Sequence, residues 1–279
     1  MARFPNLIGQ PFLSIIIAFV IITSADTINS FTALSSYALA ALFVIILQMI
    51  ALNRVLPSNL KQKPPLYATS KWLRISLPLL LIQGFQLILL RGDIIIIGIL
   101  RGDKEAGVYN VAAQTATFVS FVFAAVNTAV GPMIASLFAR GDRQSLQNLV
   151  KAATKWMYWP SFGITLVLIL WGKAILSLFG GEFTAGWTAL SILSVSHMIR
   201  NSVGPSKYLL GLTGHQKISA RIFGVSALMN IVLNFLLIPF WGPKGAALAT
   251  FFTMIIWSIW VHDAVKKNLG IRSFIFSRT

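Results

Sequence analysis

Arg91, Asp93 and Arg200 are charged residues set in apolar stretches: QLILLRGDIIIIGIL holds the first two, and SVSHMIR ends on the third. A charged side chain inside a bilayer costs on the order of 3 kcal/mol by insertion scales, so each marks a path for an ion, a proton or a substrate. At about 100° per residue Asp93 falls within roughly 20° of Gln86, whereas Arg91 falls about 160° from Asp93. A regular helix therefore does not aim both into one cavity. Two arrangements satisfy the constraint: a break at Gly92, or an Arg91 near the outer interface with its stem stretched toward head groups. An ion pair or interface anchor without a transport role is the bland alternative.

Uncharged polar residues accompany them at helical spacing. Asn110, Gln114, Thr117 and Thr128 lie within about 60° of one another on a helical wheel, and Gly131-Pro132 follows. Ser194, His197, Asn201, Gly204 and Tyr208 share a second face with Arg200 beside it, and Asn230 with Asn234 makes an i, i+4 pair. Amides and hydroxyls alone would also suit a bundle core glued by hydrogen bonds. With two arginines, an aspartate and a histidine added, a water-filled cavity accounts better for the set.

Other chemistries lack their residues. No GxxxxGK[ST] phosphate loop, GxSxG or HExxH occurs, and His197, His215 and His262 have no metal-ligand spacing. An enzyme is disfavoured, and no cofactor or metal is expected. Arg-Gly-Asp appears three times, at 91–93, 101–103 and 140–142, by coincidence. Cysteine is absent.

The elements that must position these residues are membrane helices. Of 279 residues, 56% are hydrophobic and 11% charged, and no soluble domain could cover that much apolar surface with so little charge. Lys and Arg number 23 against 7 acids. They gather in gaps between apolar runs of about 20 residues, the length that crosses a bilayer, not in a stripe with aromatics, so nucleic acid is excluded as a partner. Eight runs can be marked, at 4–24, 33–52, 73–100, 108–138, 152–178, 186–210, 217–240 and 245–264. The predicted class is an all-α, polytopic membrane helix bundle. Basic residues alternate between the gaps, 16 on one side against 4 on the other, which predicts both termini in the cytoplasm. A secretory signal peptide is the rival reading of the first run. Pro78, Gly84, Pro160, Pro205 and Pro239 predict bent or interrupted helices.

The segment LRISLPLLLIQGFQLILLRGDIIIIGILRGDKEAGVYNVAAQ, then GPMIASLFARGD, LFGGEFTAGWTAL, LLGLTG and IPFWGPKGAALAT, in that order, resemble the Wzx-like polysaccharide flippases of the multidrug/oligosaccharidyl-lipid/polysaccharide exporter superfamily. The resemblance implies two six-helix lobes that rock to alternate access. It also implies a lipid-linked oligosaccharide as substrate, carried on undecaprenyl pyrophosphate across the bacterial inner membrane among its membrane lipids. Here 1–55 looks like the last hairpin of the first lobe, 56–71 a cytoplasmic linker, 72–265 a six-helix lobe and 266–279 a basic tail. A chain so divided is a fragment, a truncated product, or a short form that pairs with a second chain completing the first lobe.

The resemblance makes Arg91 the first candidate to meet the pyrophosphate, since guanidinium suits phosphate oxygens bidentately, and Arg200 the second. Asp93 becomes the candidate for ion or proton coupling. The expected cavity set is Gln86, Arg91, Asp93, Asn110, Gln114, Thr117, His197, Arg200, Asn201, Asn230 and Asn234. A multidrug or small-cation exporter of the same superfamily is the alternative, and a non-transporting membrane protein a third.

Overall fold

The computed structural model describes residues 30–55 and 69–275. The expected first span at 4–24, most of the 56–71 linker and the end of the basic tail lie outside the described residues. Every regular element among the described residues is helical, and the chain divides into two compact units, 1–68 and 69–279.

In the first unit α1 runs Ser30–Val55. Its described side chains are largely apolar and exposed, among them Leu42, Phe43, Ile46 and Met49, the surface of a helix that meets lipid or another helix.

The second unit holds the other helices. Helix α2, Thr69–Arg101, and α3, Asp103–Ala139, are separated only by Gly102, whose φ of 89° turns the chain. After Gly141, Asp142 caps α4, Arg143–Ser177, by accepting the Ser145 amide N–H at 3.0 Å. Hydrogen bonds from the Ser145 side chain and main chain hold the Asp142 carboxyl below its ordinary pKa. A short 3₁₀ helix, Gly181–Gly186, leads into α5, Trp187–Asn201, then α6, Ser206–Leu212, and α7, Gln216–Leu269. Four stretches, 83–101 and the whole of α3, α4 and α7, are long and apolar enough to cross a membrane. Large apolar side chains such as Phe118, Phe121, Trp156, Trp171 and Phe240 are exposed on the outside of these helices. Such a surface is stable in lipid and not in water. The protein is a polytopic helical membrane protein.

Two of the expected runs take a different form. The 186–210 run is not one helix: it breaks at 202–205, where Gly204 adopts φ 56° and Pro205 offers no amide hydrogen. The carbonyls freed there are taken up locally. Ser202 Oγ donates to Ile199 O at 2.7 Å, Ser206 Oγ to Val203 O at 2.5 Å, and the Ile275 amide to Ser202 O at 3.0 Å. The break is locked by its neighbour as well as by its own sequence, because a Cβ on Gly204 would fall 2.0 Å from Thr154 Oγ1. Gly204→Ala combines left-handed strain with overpacking against Thr154, and is expected to cost about 2–5 kcal/mol. Thermal unfolding of the purified variant in detergent should show a clear drop in midpoint.

The second difference concerns the last two runs, which are continuous in α7 but folded back at Gly242, φ 52° and ψ −132°. The fold-back follows from distances. Asn230 Nδ2 donates to Thr250 Oγ1 at 3.4 Å, and the Phe223 and Trp257 rings are 5.6 Å apart, although twenty residues of straight helix would span about 30 Å. The arms 216–241 and 243–269 are called α7a and α7b. Pro160 and Pro239 lie inside helices that continue through them, so neither interrupts its helix. At the turn a Cβ on Gly242 would meet Glu105 Oε2 at 2.6 Å, and Glu105 is itself paired with Arg101 at 3.3 Å.

Two apolar clusters fill the second unit, one around Leu89, Leu146, Val203, Phe223 and Trp257, the other around Ile97, Val119, Leu168, Leu190 and Ile238. Asp93 lies between Leu89 and Ile97 along α2, Asn230 and Asn234 between Phe223 and Ile238 along α7a, and His197 with Arg200 between Leu190 and Val203. The polar groups thus occupy the middle of the bundle, with apolar packing toward each end.

Candidate substrate cavity

The middle layer borders a cavity of about 350 Å³. Eight of the eleven expected residues line it: Gln86, Arg91, Asp93, Asn110, Gln114, Thr117, His197 and Arg200. Arg91 and Asp93 both border it from an unbroken α2, so the break at Gly92 is not needed. Asp93 is only 5% exposed and faces α3 and α7, while Arg91 is exposed and its long side chain comes to the rim. Asn110 is half-buried, and Gln114 and Thr117 are exposed on the same side of α3.

The Asp93 carboxyl is held by neutral donors from α3 and from both arms of α7. Tyr109 Oη and Thr250 Oγ1 donate to Oδ2 at 2.7 and 2.6 Å, and Asn234 Nδ2 donates to Oδ1 at 2.6 Å. Behind this set, Asn234 Nδ2 also donates to Asn230 Oδ1 at 3.0 Å. The i, i+4 pair of the sequence therefore lies behind the lining, as the shell that orients the groups around Asp93. No ion pair to Asp93 is seen among the described residues. Both of its oxygens are met by hydrogen bonds, the arrangement a buried carboxyl requires in a low-dielectric interior.

The cations of the cavity stand apart from it. The Arg200 guanidinium lies over the Phe123 ring at 4.8 Å, a cation–π contact, and its Nε has no hydrogen-bond partner among the described residues. Lys207 Nζ donates to Gln86 Oε1 at 2.8 Å and lies 5.3 Å from the Phe223 ring centre. His197 Nδ1 is 3.1 Å from Ser120 Oγ. Gln86 Nε2, Asn110 Oδ1 and Trp257 Nε1, all bordering the cavity, are buried without a partner among the described residues. Unpaired buried polar atoms that converge on one space are suited to a polar ligand, since each costs about 1–3 kcal/mol while unmet.

Asn201 departs from expectation. It is fully buried away from the lining, and its Nδ2 donates to Val119 O at 3.1 Å and to Ser161 Oγ at 2.6 Å, which ties α5 to α3 and α4. Residues the sequence reading passed over are Lys207, Tyr109 and Thr250. Lys207 had a signal: it is the one base, besides Arg91 and Arg200, that falls inside an apolar run and in none of the charged gaps. Tyr109 and Thr250 carried none, since their role depends on which helix faces Asp93.

The sequence matches two protein families and several relatives. Residues 78–236 match the MatE family, and residues 6–138 match a polysaccharide biosynthesis protein family. An uncharacterized membrane protein of Methanocaldococcus jannaschii is 26% identical over 86% of this chain and 49% of its own length. From Haloferax volcanii, a probable low-salt glycan biosynthesis flippase is 25% identical over 57% of this chain and 34% of its own. A probable flippase of the same organism is 26% identical over 63% and 37%. The chain thus spans about half the length of the first of these relatives and about a third of the others. No solved structure matches it. The helical bundle, its central polar layer and a match over more than half the chain agree: the chain belongs to the MatE family, within the multidrug/oligosaccharidyl-lipid/polysaccharide exporter superfamily.

Proposed function

We propose that the chain is part of a flippase that carries an undecaprenyl-pyrophosphate-linked oligosaccharide from the cytoplasmic to the outer leaflet of the bacterial inner membrane. One observation carries the reading: Arg91, Arg200 and Lys207 border a cavity whose single acidic residue among the described residues, Asp93, is engaged by three neutral donors. That leaves the cavity cationic, the polarity that attracts a pyrophosphate and repels a cationic drug. The glycan-flippase names of two relatives support the substrate class.

In this reading residues 72–265 form one six-helix lobe, with α5 and α6 together as its fourth member and α7a and α7b as its last two. The 1–55 hairpin belongs to the other lobe, whose remaining helices come from further sequence or a second chain. Both termini face the cytoplasm, because Arg140, Arg143, Lys217, Lys266 and Lys267 fall at the helix ends that alternate with those of Arg101, Lys173 and Lys244. Nothing in the chain hydrolyses ATP in this scheme, and Asp93 couples transport to an ion or proton gradient.

Deleting the complete gene should make lipid-linked glycan accumulate in the cytoplasmic leaflet, measured by the accessibility of the glycan to enzymes in oriented vesicles. Unchanged surface polysaccharide and no accumulation would overturn the proposal.

A further inference from the structure

A second cavity, of about 440 Å³, lies behind the wall of the first. Helices α5 and α7b form that wall and have two working faces. On α5, His197 and Arg200 look into the first cavity while Met198 and Ile199, with Val203 of the break that follows, border the second. On α7b, Thr250, Thr253 and Trp257 belong to the first, and Ile255, Ser258 and Ile259 to the second. Tyr158 of α4 makes the third side.

The C-terminal strap, 270–275, closes one end. Its main chain is clamped by Gln147, which donates to Arg272 O and accepts from the Arg272 amide, both at 2.8 Å. Thr154 Oγ1 donates to Ser273 O at 3.1 Å, and His262 Nδ1 is 3.1 Å from Ser273 Oγ. This places the Phe274 ring 5.9 Å from the His262 ring, at that end of the slot.

Three features say what fits. The walls are apolar, and Ile259, 54% exposed, puts the slot at the lipid-facing surface. Ser258 is 4% exposed, and its Oγ is buried without a partner among the described residues. The closed end is basic: exposed Lys155 lies one turn before Tyr158, and exposed Lys266 one turn after His262, against one nearby acid, Asp263.

We propose that this slot is a structural lipid site that takes an anionic phospholipid, with the upper part of an acyl chain between α4, α5 and α7b and the head group on Lys155 and Lys266. From Ile255 to His262 the slot extends about 10 Å along α7b, the reach of the chain segment nearest the glycerol. Basic residues beside a slot between membrane helices attract anionic head groups. The lipid braces the two helices whose opposite faces carry Arg200 and Thr250. The assignment is independent of what the first cavity transports.

Native mass spectrometry of the detergent-purified chain, incubated with phosphatidylglycerol or phosphatidylcholine, tests it. About tenfold or greater preference for phosphatidylglycerol is expected, lost in the double variant Lys155→Gln, Lys266→Gln, whose substitutions are exposed and leave the fold alone. Ser258→Phe, which fills the slot, should lower retention of both lipids. Equal retention of the two lipids by the unaltered chain, or an unchanged preference in the double variant, would overturn the proposal.

Discussion

Replacing Arg200 by alanine is expected to lower affinity for a lipid-linked pyrophosphate about 10- to 100-fold, since a hydrogen bond to a charged group contributes roughly 1.5–3 kcal/mol. The side chain is positioned before any ligand arrives: its guanidinium rests on Phe123 at 4.8 Å, and its Nε has no competing partner among the described residues. A phosphate oxygen therefore gains contacts without first breaking any. Lys207→Ala should act in the same direction and less strongly, because Lys207 already spends one donor on Gln86 Oε1 at 2.8 Å. Arg200→Lys keeps the charge and loses the planar fork, so it should recover only part of the affinity. Binding of a short-chain lipid-linked pyrophosphate to the complete transporter in nanodiscs, followed by titration calorimetry, reads all three. Asn201→Ala serves as the contrast: its amide bonds Val119 O and Ser161 Oγ, so thermal stability should fall while affinity per folded molecule stays. Unchanged affinity in Arg200→Ala with Lys207→Ala would remove the cationic head-group site.

The helices were legible because bilayer thickness imposes a length that composition alone reveals. The breaks were less so. Proline marks where a helix loses a bond, but only tertiary space decides whether the chain turns: Pro160 and Pro239 continue within helices, while Gly204-Pro205 turns with Thr154 and the 270–275 strap packed against it. The cavity face was readable where residues share one helix, as with Asn110, Gln114 and Thr117. It failed for Asn201, whose wheel position is right but whose neighbours α3 and α4 enclose it. Periodicity gives a side chain's direction and not the helix waiting there, and the donors Tyr109 and Thr250 went unseen for that reason.

Those donors make Asp93 the residue where charge and architecture can be separated. Asp93→Asn should preserve the fold. Tyr109 Oη and Thr250 Oγ1 both meet Oδ2, and hydroxyls can rotate to accept from an amide placed there, while the amide oxygen keeps the bond from Asn234. Asp93→Ala has no such escape. It leaves the Tyr109 and Thr250 hydroxyls without this acceptor and Asn234 with only its bond to Asn230, at about 1–3 kcal/mol for each unmet donor, so its unfolding midpoint should fall well below that of the amide variant. Function should then divide along the charge. If Asp93 exchanges the coupling ion or proton, the amide variant retains its pyrophosphate affinity, or gains some as a negative charge leaves a cavity bordered by Arg91, Arg200 and Lys207. Its gradient-driven translocation in proteoliposomes should nevertheless drop to background. Full gradient-driven transport by Asp93→Asn would show that the carboxylate serves the hydrogen-bond network alone, and coupling would have to reside in another group.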